Sequence, residues 1–103
     1  CFSNDEPHAN KNILFELEKV IDQRRTEAVE NSYTAKLFAK GINKIAQKVG
    51  EEAVELVIEA KDDDADAFKS EAADLLFHFL VLLRAKGVAL DDVFATLNER
   101  RTI

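Results

Sequence analysis

Two pairs of carboxylates, each with a three-residue spacing, are the feature that most constrains the fold of this 103-residue chain. The first pair is Glu52 and Glu55, and the second is Glu71 and Asp74. Residues three apart share a helix face, so two packed helices would direct all four carboxylates toward one point. Clustered like charges are costly to bury without a neutralising cation, and oxygen ligands suit a hard ion. The pattern therefore predicts a site for a divalent cation such as Mg²⁺.

Acidic residues on a helix more often form a solvated face, and a helical wheel separates the two interpretations. A solvated face is broad and mixed in charge, whereas both acidic stripes here are narrow. Large apolar residues border them: Val54 and Ile58 beside the first, and Leu75, Phe77, Val81 and Leu82 beside the second. The wheel favours a buried site. His78 follows Asp74 on the same face, and we expect a core histidine with satisfied hydrogen bonds; a contact to the site is the alternative.

Helical periodicity runs along most of the chain without strand-like alternation, which predicts an all-α fold, a small bundle of four to five helices. We expect residues 1–11 to be a flexible N-terminal lead-in and residues 12–103 to be one helical domain. The predicted helices span about 12–29, 32–40, 42–61, 65–86 and 90–101, with Asn12 as the first cap and breaks at Gly41 and Gly87. The segment 75–83 is apolar on nearly every side, which predicts a homodimer.

Composition excludes several classes of function. The net charge of −6 argues against general binding to nucleic acid or to an anionic membrane. No apolar run approaches the roughly 20 residues that a membrane-spanning helix needs. The single cysteine, Cys1, allows no intrachain disulfide, which favours a reducing cytoplasmic location. We expect a cytoplasmic protein with a small-molecule ligand.

A series of lysines precedes the first acidic pair. Lys36, Lys40, Lys44 and Lys48 recur every four residues, so a continuous helix would align them as a basic ribbon leading to the acids, although Gly41 interrupts that register. The ribbon is either a phosphate-binding surface or an ordinary solvated face. A metal-bound polyphosphate needs nearby cations for its remaining oxygens, so the acidic cluster favours phosphate binding.

Three consecutive hydroxyl residues, Ser32, Tyr33 and Thr34, open the predicted second helix. Hydroxyls and free amides at a helix start form an anion site. The alternative is a plain N-terminal cap. The sequence leaves both interpretations open.

The segments 32–55 and 71–78 together resemble phosphoribosyl-ATP pyrophosphohydrolases. These enzymes belong to the all-α NTP pyrophosphohydrolase superfamily, with the MazG-type and dimeric dUTPase-type enzymes. The superfamily signature, Glu-x-x-Glu followed by Glu-x-x-Asp, matches at all four carboxylates named above. The Ser-Tyr-Thr-x-Lys-Leu-Phe sequence at 32–38 is what indicates the phosphoribosyl-ATP member. The resemblance extends over about residues 13–100.

The resemblance implies an intertwined helical homodimer that hydrolyses the α–β phosphoanhydride of phosphoribosyl-ATP with Mg²⁺. The products would be phosphoribosyl-AMP and pyrophosphate, in the second step of histidine biosynthesis. A functional link to phosphoribosyl-AMP cyclohydrolase follows, because that enzyme consumes the product. The cyclohydrolase is fused to this domain in many organisms, and we expect a separate polypeptide here.

Roles in this reaction can be assigned to individual residues. The expected metal ligands are Glu52, Glu55, Glu71 and Asp74. The expected catalytic residues are Glu51, which would orient or deprotonate the attacking water, its neighbour Glu52, and Lys48, which would neutralise the leaving pyrophosphate. The expected substrate-binding residues are Ser32, Tyr33, Thr34, Lys36, Lys40 and Lys44.

Two other functions share the carboxylate pattern. A house-cleaning pyrophosphohydrolase for non-standard or deoxy nucleotides would carry the same four acids without the hydroxyl segment and Lys36. A non-catalytic helical interaction module would bind a cation and release no pyrophosphate from any nucleotide. A panel of nucleotide substrates separates all three.

Overall fold

A computed structural model describes residues 12–102, and the predicted lead-in at 1–11 lies outside the described residues. Within that range the chain is helical and contains no strand, so the all-α class is confirmed. The helices are α1 (Ile13–Arg24), α2 (Tyr33–Lys40), α3 (Ile42–Glu59), α4 (Ala65–Ala85) and α5 (Leu90–Glu99), with a 3-10 turn at Val29–Asn31 before α2. None of these helices is both long and apolar enough to cross a bilayer.

Local hydrogen bonds fix the starts of α2 and α4. The Ser32 hydroxyl accepts a hydrogen bond from the backbone N–H of Ala35 at 3.2 Å, and the Asp64 carboxylate accepts one from Ala67 at 3.0 Å. Gly41 ends α2 and begins α3 with φ +95° and ψ 175°. A side chain would be strained in that conformation, so glycine is required where the two helices change direction.

The first helix is shorter than predicted. It stops at Arg24 instead of continuing to Val29. The Thr26 hydroxyl donates to the carbonyl of Gln23 at 3.2 Å, a local bond that competes with further helix. Asn12 occupies the N-cap position of α1, as predicted, but its side chain makes no capping hydrogen bond there.

The core lies where α3 and α4 pack against each other as a helical hairpin, with α1 across α4. Its buried members come from all five helices: Ile21, Leu37, Ile45, Leu80, Val81 and Leu90. Burying each such side chain contributes roughly 1.5–3 kcal/mol. The hairpin matters for function because it brings the middle of α3 beside the first half of α4.

Arg84 ties the end of α4 to α1 and to the start of α5. Its guanidinium donates to both carboxylate oxygens of Asp22, at 2.9 and 3.1 Å, and to the carbonyl of Val88 at 2.9 Å. Glu18 accepts the backbone N–H of Leu90 at 2.8 Å and lies 3.5 Å from the same guanidinium. A bidentate pair with further hydrogen bonds holds these three elements in one register.

Some apolar side chains stay exposed in the single chain. Val54, Val57 and Ile58 form a stripe at helical spacing on α3, and Leu76 on α4 keeps 47 % of its surface exposed. The apolar segment 75–83 is therefore only partly buried by its own chain, although Leu80 and Val81 are fully buried within it. The stripe is a surface that a partner can cover.

Candidate active site

Three carboxylates from two helices converge at the middle of the hairpin. Glu52 and Glu55 on α3 and Glu71 on α4 each place one oxygen within 4.8 Å of the other two. The three-residue spacing puts the first two on one face of α3, and helix packing brings that face against Glu71. Asp74, one turn further along α4, lies outside this group, and its role as a fourth ligand stays a prediction. We call these three residues the carboxylate cluster.

Within the described residues, the only ion pair made by the carboxylate cluster is that of Glu52 with Lys48. Only 7 % of the surface of Glu52 is exposed to solvent. The Oε1 atom of Glu71 is buried and has no hydrogen-bond partner among residues 12–102. Burial, together with the carboxylates of Glu55, Glu52 and Asp74, raises the pKa of Glu71 to about 7. An oxygen-only group with an unpartnered buried oxygen fits a hard divalent cation such as Mg²⁺.

Lys48 lies beside the carboxylate cluster. Its ammonium nitrogen is 3.6 Å from Glu52 Oε2 and 3.4 Å from Glu51 Oε1. Partial burial lowers the pKa of Lys48, but the nearby Tyr33, Glu51 and Glu52 together have a larger effect in the opposite direction. The pKa of Lys48 is therefore raised above its ordinary value. It therefore stays a cation at the edge of the cluster, where a leaving phosphate would need one.

Glu51 faces along α3 instead of into the carboxylate cluster. Its Oε2 atom accepts a hydrogen bond from Gln47 at 2.7 Å, and it is exposed to solvent. The hydrogen bond from Gln47, followed by that from Lys48, lowers the pKa of Glu51 below its ordinary value. A lowered pKa weakens a general base. Its predicted role in activating water stays a prediction.

The predicted lysine ribbon is divided between two helices. Lys36 and Lys40 lie on α2, while Lys44 and Lys48 lie on α3 after the turn at Gly41. Lys44 is near enough to Glu51 to help lower its pKa. Lys36 and Lys40 are exposed and form no ion pair within residues 12–102. Both remain available to a ligand.

The hydroxyl segment 32–34 has mixed roles. The hydroxyl oxygen of Ser32 caps α2, which agrees with the interpretation of this residue as a plain N-terminal cap. Its O–H group can still donate a hydrogen bond to a ligand. Thr34 is buried. Tyr33 leaves 51 % of its surface exposed, yet its hydroxyl is within 2.8 Å of Nε2 of His78.

His78 is a satisfied core residue, as predicted. Only 6 % of its surface is exposed to solvent, and its Nδ1 atom lies 2.8 Å from the backbone carbonyl oxygen of Asp74. Its ring makes edge-on contacts with Phe77 at 5.1 Å and with Tyr33 at 5.8 Å between centroids. The hydrogen bond to Tyr33 was not predicted, because residues 45 positions apart leave no periodic signal.

A pocket with a volume of about 300 Å³ lies at the turn between α3 and α4. It is lined by Glu59, Ala60, Asp62, Asp63, Asp64, Ala65 and Phe68. The lining includes no basic side chain and four acidic ones, so this cavity does not suit a negatively charged phosphate chain. The positive charge that a phosphate needs is instead near the carboxylate cluster, at Lys48.

Residues 14–101 match the sequence model of the family described as phosphoribosyl-ATP pyrophosphohydrolase. The chain belongs to the phosphoribosyl-ATP pyrophosphohydrolase family. The match spans α2, α3 and α4 and so includes the whole carboxylate cluster.

The chain is similar in sequence to two kinds of proteins, namely pyrophosphatases and bifunctional proteins. The chain is similar to a phosphoribosyl-ATP pyrophosphatase of Ruegeria sp. strain TM1040, at 51% identity over 86% of the chain and 85% of the relative. A pyrophosphatase of the same name from Agrobacterium fabrum is also 51% identical, over 86% of the chain and 82% of the relative. The histidine biosynthesis bifunctional protein HisIE of Bacillus subtilis is 45% identical over 99% of the chain and 51% of the relative. The chain thus spans about half the length of that bifunctional relative.

Proposed function

We propose that this chain hydrolyses phosphoribosyl-ATP to phosphoribosyl-AMP and pyrophosphate, the second step of histidine biosynthesis. Family membership and similarity to proteins named phosphoribosyl-ATP pyrophosphatase support the choice of substrate. The observation that carries the proposal is the carboxylate cluster, because Glu52, Glu55 and Glu71 gather where a polyphosphate needs a cation.

The proposed cofactor is Mg²⁺, held by the carboxylate cluster with Asp74 as a further candidate ligand. The unpartnered Oε1 of Glu71 and the oxygen-only donor set support this choice. When bound, the ion supplies positive charge to a triphosphate and to the phosphorus under attack. Without it, four neighbouring carboxylates would repel the substrate.

The other residues act on the phosphate chain and on water. In the hydrolysis, a water oxygen bonds to the α-phosphorus, the bond from that phosphorus to the bridging oxygen breaks, and pyrophosphate leaves. Lys48 lies next to Glu52 and is the proposed counter-charge for the leaving group. Glu51, joined to Lys48, is the proposed residue that orients the water. Lys36 and Lys40 are proposed to contact the outer phosphates or the ribosyl phosphate.

We further propose a homodimer that covers the exposed apolar stripe on α3. Val54, Val57 and Ile58 lie beside Glu52 and Glu55 on the same helix, so a partner packed there would also shield the carboxylate cluster from water. Bifunctional relatives named HisIE support a link to phosphoribosyl-AMP cyclohydrolase, which would consume the product. A cytoplasmic location is part of the same proposal.

A panel of nucleotides tests the proposal. Purified protein is given phosphoribosyl-ATP, ATP, dUTP and dCTP in equal amounts with Mg²⁺, and pyrophosphate release is followed. We expect phosphoribosyl-ATP to be hydrolysed with the highest kcat/KM. Preference for a deoxynucleotide would indicate a house-cleaning enzyme, and release from no nucleotide would indicate a non-catalytic metal-binding module.

A further inference from the structure

A chain of two hydrogen bonds joins the start of α2 to the acidic turn of α4. The hydroxyl of Tyr33 lies 2.8 Å from Nε2 of His78, and Nδ1 of the same ring lies 2.8 Å from the carbonyl oxygen of Asp74. Tyr33 is the first residue of α2, directly after the cap at Ser32. Asp74 is one helical turn after Glu71. The path therefore runs from the proposed substrate segment to the backbone of α4 one turn after Glu71.

The backbone partner fixes the direction of one hydrogen bond, and for a neutral ring the direction of the other follows. A backbone carbonyl only accepts, so Nδ1 of His78 carries the hydrogen and donates to Asp74. In the neutral ring, Nε2 is then an acceptor, and the hydroxyl of Tyr33 donates to it. Both ring nitrogens thus bond to groups of the protein, and only 6 % of the surface of His78 is exposed. His78 is arranged to hold neighbouring groups in place and has no free nitrogen to offer a substrate.

Aromatic packing restricts movement of the same two residues. Phe77 stacks on Tyr33 at 6.2 Å and meets the edge of His78 at 5.1 Å between ring centroids. Such contacts favour one relative orientation of the rings. The main packing partners of α2 are α3 and the 3-10 turn at Val29–Asn31, whereas the backbones of α2 and α4 approach closely at few points at most. The hydrogen bond from Tyr33 to His78 is therefore a direct link between these two helices.

We propose that Tyr33 and His78 are positioning residues, which hold segment 32–34 at a fixed distance from the turn that carries Glu71 and Asp74. This inference rests on the proposed function, in which a phosphate chain is bound by both regions at once. A shift of segment 32–34 relative to the turn that carries Glu71 and Asp74 would weaken binding of the transition state, although every substrate-binding and metal-binding side chain would still be present. Tyr33, predicted from the sequence to bind substrate, would instead act through His78.

The first test is spectroscopic and needs neither substrate nor metal. In uniformly ¹⁵N-labelled protein, His78 should show a protonated Nδ1 and an unprotonated Nε2. Tyr33→Phe removes only the hydroxyl and should shift the backbone amide signals of Glu71 and Asp74. Thr96→Val is the matched control, because it removes a hydroxyl that bonds within α5 to Asp92 and should leave those signals unchanged. Unchanged Glu71 and Asp74 signals in Tyr33→Phe would overturn the inference.

The second test is kinetic. His78→Asn keeps a donor near the Nδ1 position but loses the acceptor for Tyr33. Tyr33→Phe and His78→Asn should each lower kcat/KM for phosphoribosyl-ATP by about tenfold, while both stay folded at the assay temperature. The double variant should lose no more than either single variant, because both changes break one hydrogen bond. Thr96→Val should retain full activity.

The outcomes separate this inference from the proposed function. If the unaltered protein releases no pyrophosphate from phosphoribosyl-ATP, the proposed function is wrong, and the NMR shifts alone decide whether the two residues position α4. If the unaltered protein is active and Tyr33→Phe is equally active, the positioning role is wrong. Independent losses that multiply in the double variant would also contradict it.

Discussion

Glu55 on α3 and Glu71 on α4 hold carboxylate oxygens within 4.8 Å of each other, with Glu52 completing the group. Like charges at that separation repel, and burial of Glu71 adds to the cost of its ionisation. The arrangement is therefore unfavourable for the metal-free protein and favourable for cation binding.

Neutral amides in the carboxylate cluster should abolish turnover without unfolding the protein. Glu52→Gln, Glu55→Gln and Glu71→Gln should each lower kcat/KM for phosphoribosyl-ATP by on the order of a hundredfold or more, since each removes a proposed metal ligand. Thermal unfolding in a chelator should show equal or higher stability, because one repelling charge is gone. Glu99→Gln, an exposed change on α5, is the control for both measurements. Near-normal turnover in any cluster variant would contradict the ligand assignment at that position.

Without metal, stability should fall as the pH rises from about 4.5 to about 7. Glu71 has a folded-state pKa of about 7, against an ordinary value of 4.5. In that window the folded protein binds more protons than the unfolded chain, so raising the pH favours unfolding. Urea unfolding at pH 5 and pH 8 in a chelator measures the difference, and Glu71→Gln should reduce it. Identical pH dependence in the two proteins would show that Glu71 is not the group responsible.

Lys36→Ala should weaken substrate use and leave metal binding intact. Lys36 is exposed on α2 and forms no ion pair within residues 12–102, so its charge is free for a phosphate. Loss of one charge-assisted contact corresponds to roughly a ten- to hundredfold decrease in kcat/KM. The Mg²⁺ concentration for half-maximal thermal stabilisation should not change. Lys86→Ala, at the far end of α4, is the matched control; equal activity in both variants would assign Lys36 to an ordinary solvated face.

Dilution should not yield a stable folded monomer. The apolar stripe of Val54, Val57 and Ile58 is exposed in the single chain, and a second copy is its proposed cover. Sedimentation velocity at low micromolar concentration should give a single dimeric species. Val57→Glu should dissociate it, whereas Glu99→Gln should not. A compact monomer of the unaltered chain under those conditions would refute the proposed dimer.

Sequence periodicity predicted the parts of the structure that depend on helix geometry. The spacing of Glu52 and Glu55 is enough to place both on one face of α3, and glycine at position 41 is enough to predict a break. Contacts between distant side chains have no such regularity. The bidentate pair of Arg84 with Asp22 joins residues 62 positions apart, so it depends on how whole helices cross.

The early end of α1 was missed for a different reason. The apolar pattern continues weakly to Val29, but the Thr26 hydroxyl forms a local hydrogen bond that a pattern of apolar residues does not represent. Glu51 shows the same limit within the site. Its position next to Glu52 suggested a role in orienting or deprotonating water, whereas its orientation is determined by Gln47 and Lys48 on the preceding turn.

The most direct test is pyrophosphate release from phosphoribosyl-ATP with and without Mg²⁺, for the unaltered protein and for Glu71→Gln. We expect Mg²⁺-dependent release of one pyrophosphate for each phosphoribosyl-AMP formed by the unaltered protein. Removal of Mg²⁺ with a chelator should stop the reaction, and Glu71→Gln should remain inactive at any Mg²⁺ concentration. Equal release with and without Mg²⁺, or full activity of Glu71→Gln, would contradict the carboxylate cluster as the catalytic metal site.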